Sequence, residues 1–196
     1  MNKQFFIILG RSGAGKGTQA QLLKKRLEDL GSIKVEHVTT GGGFRDFIKQ
    51  DNYIAGVTRI VEQSGGLPPE FLAIWNWSNI FINSLTEDTS VILDGAPRRL
   101  KEKEVFDGLV SFLGYERPTV IYLDVPEGSV IERLSARGRA DDTQVAVTKR
   151  LSWFEENVLP VVDAFMHDPR YTFVHVNGKQ SVDEVFAELT MKANLE

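Results

Sequence analysis

FFIILGRSGAGKGTQAQLL, residues 5–23, joins three patterns without a gap. Residues 5–9 are continuously apolar and end at a glycine, which predicts a short strand buried on both faces of a parallel sheet. From Thr18 the chain reads as a helix: leucines recur at 23, 27 and 30, and Gly31 is placed to stop it. Between the two lie Gly10, Gly13, Gly15 and Gly17, with Lys16 among them. A simple turn needs fewer glycines and no lysine. Glycines let the backbone take positive φ and bring several N–H groups around one anion. The helix N-terminus adds its dipole and unpaired donors. Lys16 adds a point charge suited to β and γ phosphates. Gly13, Ala14, Gly15, Lys16, Gly17 and Thr18 are therefore the expected phosphate-binding loop.

The same alternation continues outward. IKVEHV (33–38), SVILD (90–94), TVIYLDV (119–125) and YTFVHV (171–176) read as further strands, with helical patterns at 69–85, 101–113, 129–137 and 142–167 between them. Strands alternating with helices predict a doubly wound α/β fold with a parallel sheet. Residues 40–85 hold mostly helical signals and predict a small helical inset at the ligand edge of the sheet. Phe71, Trp75 and Phe81 recur there at roughly helical spacing, and core packing is their default reading. No linker rich in Pro, Gly and Ser divides the chain, so one domain over 1–196 is expected.

Bulk composition narrows the class. The 196 residues are 42% hydrophobic and 26% charged, with a net charge of −4, so no general attraction to nucleic acid is expected. No cysteine is present, which excludes disulfides and thiolate metal sites. No apolar run approaches the ~20 residues of a membrane span. The apolar start MNKQFFIIL is cut short by Gly10, Arg11 and Lys16 and reads as a buried strand rather than a secretory signal. A cytoplasmic protein with no membrane partner is the expectation.

The loop departs from the commonest phosphate-loop pattern: Gly17, not Ser or Thr, follows the lysine, and Thr18 comes next. GKGTQ (15–19) resembles the nucleoside monophosphate kinases, the adenylate kinase family above all. Four further stretches match in order and cover nearly the whole chain. TTGGGFR (39–45) is similar to a family motif in which Thr40 and Gly41 match a nucleotide-contacting pair and Arg45 an arginine on the acceptor's α-phosphate. GGLPPE (65–70), with Leu67, resembles the segment lying against the acceptor base. LDGAPRR (93–99) resembles LDGFPR: Asp94 matches the acidic residue holding Mg²⁺ through water, Gly95 its neighbour, and Arg98 a second acceptor arginine. RLSARGRADD (133–142), with KRL (149–151), resembles the lid. There Arg133 and Arg137 match arginines around the ATP base and phosphates, and Arg139 and Arg150 those on the transferring phosphoryl. Asp141 and Asp142 match the lid's acidic pair, with Asp142 also placed to cap the following helix.

The resemblance implies a three-layer P-loop fold with a five-stranded parallel sheet, an NMP-binding inset near 40–69 and a minimal lid at 133–142. It implies reversible transfer of the γ-phosphoryl of Mg-ATP to a nucleoside monophosphate, AMP first (ATP + AMP = 2 ADP), in a cytoplasmic monomer. GMP as acceptor and a non-catalytic nucleotide sensor are the rivals. Lys16, Arg98, Arg137, Arg139 and Arg150 are the expected catalytic residues, Mg²⁺ the expected cofactor. The physics agrees: charge on the transferring group spreads over three equatorial oxygens, and arginine forks answer it bidentately. Arg26, Arg59, Arg117 and Arg170 fall on no motif and read as surface charge; His37 and His175 read as structural.

Several positions depart from the family pattern. Gly42 stands for an aspartate, and the triple glycine is expected to loosen the helix start there. Ala96 stands for an aromatic, and the resemblance implies a cis Ala96–Pro97 bond. Glu102, four residues after the acceptor arginine, stands where adenylate kinases typically carry a base-reading glutamine. An ionised glutamate only accepts hydrogen bonds, which suits guanine better than adenine.

Overall fold

The computed structural model describes residues 3–32, 34–138 and 143–196. Among them five strands, β1 (Phe5–Gly10), β2 (Lys34–Thr39), β3 (Thr89–Asp94), β4 (Thr119–Asp124) and β5 (Thr172–Asn177), form one sheet in the order β2-β3-β1-β4-β5, every pairing parallel. The connections are α1 (Lys16–Asp29), then α2 (Thr40–Phe47), α3 (Tyr53–Gln63) and α4 (Glu70–Ser84), then α5 (Leu100–Leu113). After β4 come α6 (Glu127–Arg137), α7 (Gln144–Trp153) and α8 (Leu159–Met166), and after β5 comes α9 (Val182–Lys192). No helix among the described residues is long and apolar enough to cross a membrane.

The continuous apolar strands are explained by two cores, one on each face of the sheet. Successive strand side chains alternate faces. Phe5, Ile7 and Leu9 join Val91, Leu93, Val120 and Tyr122 under Trp77 and Phe81 of α4, Phe106 of α5 and Phe165 of α8. Phe6 and Ile8 join Ile92, Ile121 and Leu123 under Leu23 and Leu27 of α1, Val130 and Leu134 of α6 and Leu189 of α9. All five apolar side chains of β1 are at most 2% exposed, and burying each contributes about 1.5–3 kcal/mol. The result is the expected three-layer fold.

β1 sits centrally. The chain leaves it through α1 toward β2 on one side and returns through β3 and α5 to β4 on the other, so a crevice opens beyond the carboxyl ends of the strands. Register brings the parts together: Ile8 pairs with Asp94, Thr39 with Asp94, and Gly10 with Leu123.

Four expectations change in detail. Phe71 and Trp75 are 61% and 42% exposed, and the buried aromatics of α4 are Trp77 and Phe81. Trp75 instead packs edge-on against Phe47 of α2. The triple glycine is helical from Thr40 onward rather than loose. Close packing requires it: a Cβ on Gly43 would lie 2.2 Å from Asn76 Oδ1, and Asn76 Nδ2 donates to Thr40 O. The 142–167 helix is continuous only through a π-helical turn at Phe154–Val158. Its N-cap is Thr143, whose hydroxyl accepts from the Ala146 N–H, while Asp142 lies outside the described residues. Arg170 is exposed, but it is not merely surface charge. It donates to Asp168 and Asp107, Lys103 Nζ donates to both carboxylates, and the Tyr171 hydroxyl donates to Asp107.

This network ties α5 to the turn before β5, at the opposite end of the sheet from the crevice. Lys103 is 7% exposed, so loss of Asp168 removes one of its two counter-charges in a nearly buried position. Asp168→Asn is expected to cost about 2–3 kcal/mol and to lower Tm by roughly 5–10 °C, with room-temperature turnover unchanged. Thermal unfolding together with a kinase assay checks both; an unshifted Tm contradicts the account.

Candidate active site

The loop between β1 and α1 opens into the crevice. Gly15 takes φ 93°, a left-handed conformation that suits glycine, and serves as the N-cap of α1 with no side-chain cap. The first amides of α1 are thus not closed off by a capping side chain, the arrangement that receives anions. Lys16 folds back over the loop and donates to Gly10 O at 2.9 Å and Arg11 O at 2.8 Å. Burial pushes its ammonium down to about 8, Arg98 and Arg137 add to that, and Asp94 opposes it. Arg11, beside the loop, is committed elsewhere: it donates to Val125 O and Glu155 and lies over the Phe154 ring.

On the β2 side, Arg45 of α2 faces the crevice over Gly41, where a Cβ would come within 3.3 Å of its guanidinium. Arg98 follows β3 and the Ala96–Pro97 bond, which is cis as the resemblance implies. Its Nε donates to Gly95 O at 2.7 Å, its Nη2 to the Thr40 hydroxyl at 3.4 Å, and its guanidinium lies 5.5 Å from the Trp153 ring centre. Thr40 is buried and donates to Gly95 O, so here it braces the turn that carries Arg98.

Asp94 ends β3 between these two sides. Its Oδ2 lies 3.8 Å from His37 Nε2 and 3.6 Å from where a Cβ on Gly17 would be. Glycine at 17 therefore keeps space open before this carboxylate. No group of three or more His, Cys, Asp or Glu that could hold a metal occurs among the described residues. One carboxylate beside a phosphate loop fits Mg²⁺, which keeps several waters and is held largely by substrate phosphates.

Arg133 and Arg137 of α6 and Arg150 of α7 face the crevice from the third side. Arg133 donates to Gly178 O at 2.9 Å, which links α6 to the loop after β5. Arg150 donates to Ala146 O and to Ser12 Oγ in the phosphate loop. Arg139 and Asp141 lie outside the described residues, as does most of the expected lid tip.

The crevice measures about 640 Å³, within the range of small-molecule sites. Its wall includes Gly13, Gly15, Lys16, Gly17, Thr18, Gly41, Arg45, Asp94, Gly95, Arg98, Arg133, Arg137 and Arg150. Ala14, Thr40, Leu67 and Glu102 are not part of that wall. Glu102 is 1% exposed: its Oε2 accepts from the Arg98 N–H at 3.0 Å, and its Oε1 lies 3.6 Å from Arg99 without a hydrogen-bond partner among the described residues. Burial pushes this carboxyl up, against the pull of Arg98 and Arg99.

Sequence reasoning missed His37, Glu62 and Trp153, which also line the crevice. Two of them had a signal. His37 shares a strand face with Thr39 by the period of two, and Trp153 follows Arg150 by three on one helix face.

The comparisons agree with this geometry. A family model described as adenylate kinase matches residues 8–169. An adenylate kinase of Stenotrophomonas maltophilia is 32% identical over 190 residues, spanning 93% of this chain and 95% of that protein. Adenylate kinase 1 of Nostoc is 31% identical over 183 residues, and an adenylate kinase of Bacteroides thetaiotaomicron 29% over 187, with similar coverage of both chains. A glycine-rich loop with its lysine, Arg45 with Arg98 and a third wall of arginines around one crevice, in a chain that matches along nearly its whole length, place this protein in the adenylate kinase family.

Proposed function

We propose that this protein catalyses ATP + AMP = 2 ADP by direct phosphoryl transfer. The observation that carries this reading is the convergence of two separate phosphate-binding sets on one crevice: Lys16 with the loop amides, and Arg45 with Arg98. A nucleotide switch or a simple nucleotidase has no use for the second set.

The roles follow the family resemblance, and for the residues that line the crevice their position supports them. The loop from Gly13 to Thr18 and Lys16 hold the donor phosphates, and Arg133 and Arg137 hold the ATP side of the crevice. Thr40, Gly41, Arg45, Leu67, Gly95, Arg98 and Glu102 serve the acceptor. Arg150, with Arg139 of the lid, meets charge on the transferring group. The attacking acceptor phosphate is already an anion, so no residue need act as a strong base. Positioning, charge neutralisation and exclusion of water are what the chain contributes. Asp94 would hold Mg²⁺ through water. When bound, Mg²⁺ supplies charge neutralisation across the donor phosphates. We read the chain as one kinase domain, with an acceptor-side inset at 40–69 and a short lid at 133–142, working as a cytoplasmic monomer. Family resemblance supports this.

A coupled assay across AMP, GMP, CMP, UMP and dTMP tests the reaction, with AMP expected to be the best acceptor. Turnover of none of them overturns the reading.

Glu102 tunes that preference. It stands behind Arg98, outside the crevice wall, with Oε1 lacking a hydrogen-bond partner among the described residues; burial pushes its carboxyl up, toward the neutral acid, which offers a donor as well as an acceptor, as a glutamine does. The ionised form suits guanine. In the parent protein the AMP/GMP ratio of kcat/KM is therefore expected to fall as pH rises. Glu102→Gln should flatten that profile and raise the ratio about tenfold at the alkaline end. A ratio unmoved by pH and by substitution means that Glu102 does not read the base.

A further inference from the structure

We propose that Trp153 is a positioning residue that joins the acceptor-side segment at Gly65 to Arg98 and to the arginine-bearing helix α7. The proposal rests on the reading above in which Arg98 holds the acceptor phosphate. Trp153 ends α7 at the start of the π-helical turn and lines the crevice. Its indole N–H donates to Gly65 O at 3.0 Å, and its ring lies under the Arg98 guanidinium. A cation held over an indole face is attracted by the ring quadrupole. One side chain therefore touches both the end of the acceptor segment and an acceptor arginine.

Two further contacts make this a docking face rather than a single bond. Gly65 takes φ 71°, and a Cβ there would sit 2.6 Å from Ala146 Cα, so the segment lies directly on the first turn of α7. One turn on, Lys149 Nζ donates to Ser64 Oγ at 3.2 Å. Ala146, Lys149 and Trp153 follow one another at helical spacing along α7, and Arg150 leaves the same helix for the crevice. Ser64 and Gly65 are thus docked along two turns of the helix that carries Arg150. Trp153, at the inner end of that track, sets the distance between the acceptor segment and Arg98. Arg98 in turn is held on its other side by Gly95 O and Thr40. Without the indole, the guanidinium keeps its hydrogen bonds but loses the surface that fixes its plane.

Trp153→Phe keeps an aromatic face and removes the N–H; Trp153→Leu removes both. Steady-state kinetics with AMP and ATP varied separately, on folded proteins of measured Tm, separate the two contacts. Trp153→Phe is expected to raise KM for AMP about five- to tenfold while KM for ATP stays within twofold. Trp153→Leu is expected to raise KM for AMP further with kcat nearly kept, because Arg98 then keeps its hydrogen bonds to Gly95 O and Thr40 but loses the surface that fixes its plane. Titration with AMP alone should change tryptophan emission in the parent, and the change should be largely lost in Trp153→Phe. A merely structural role lowers Tm and leaves the AMP-to-ATP pattern unmoved. KM for AMP within twofold of the parent in both variants, or equal rises for both nucleotides, overturns the proposal. A parent protein that phosphorylates no monophosphate removes the proposed function itself, and this proposal with it.

Discussion

Lys16→Met is expected to lower phosphoryl transfer by roughly a hundred- to a thousandfold while the protein stays folded. Among the described residues the lysine donates to Gly10 O and Arg11 O, where β1 passes into the loop, and no element of the core depends on these bonds. Its ammonium is buried and pushed down to about 8, so in the nucleotide-free protein it is a cation poorly solvated and poorly paired. Polyphosphate supplies the missing counter-charge. The pH dependence follows with a definite sign. Phosphates bind the ammonium form, so kcat/KM for ATP holds below about pH 8 and falls as pH rises above it. For folding the sign is reversed: a lysine whose folded value lies below the ordinary 10.5 makes the fold release a proton between about 8 and 10.5. Stability from this group is therefore lost, not gained, at neutral pH. Lys16→Met should then leave Tm at or above that of the parent. Turnover, the pH profile and thermal unfolding check the three parts. Near-normal turnover in the folded variant removes the loop from the mechanism.

Arg150→Ala is expected to lower kcat by roughly a hundredfold or more with KM for AMP changed only a few-fold. Arg45→Ala is expected to do the opposite, raising KM for AMP about tenfold or more with kcat nearly kept. The difference lies in where each side chain stands. Arg45 faces the crevice over Gly41, where in the proposed reaction it would meet a phosphate present before and after transfer. Arg150 reaches from α7 to Ser12 of the loop after β1, where in the proposed reaction it would meet the charge of the transferring group. An interaction made only in the transition state appears in kcat; one made equally in the ground state appears in KM. Arg98→Ala should resemble Arg45→Ala, and Arg139→Ala should resemble Arg150→Ala. The same pattern in all four variants contradicts these roles.

The fold and much of the crevice were legible in the chain because their signals are local. FFIIL followed by four spaced glycines and a lysine is a strand, an anion loop and a helix start within nineteen residues, and each is set by its own backbone preferences. The arginines at 45, 98, 133, 137 and 150 were found through motifs, and all five face one crevice. What failed locally were faces and neighbours. Phe71 and Trp75 share their spacing with Phe81, yet two of the three point outward, because Trp77 takes the place against Phe106. The triple glycine looks like a weak helix, and only the approach of Asn76, 33 residues away from Gly43 along the chain, makes small residues necessary there.

By itself the sequence determined the sheet-and-helix alternation, the phosphate loop and the charge that lines the crevice, since these depend on hydrophobic period, glycine freedom and residue type. The tertiary structure alone decided what each charged side chain does. Parallel pairing sets Asp94 beside Thr39, packing seats Glu102 behind Arg98, and the π-helical turn after α7 follows directly on Trp153, which lies between Arg98 and Gly65. Those roles depend on which segments far apart in the chain become neighbours, and burial, pKa and hydrogen bonding are set by the neighbours.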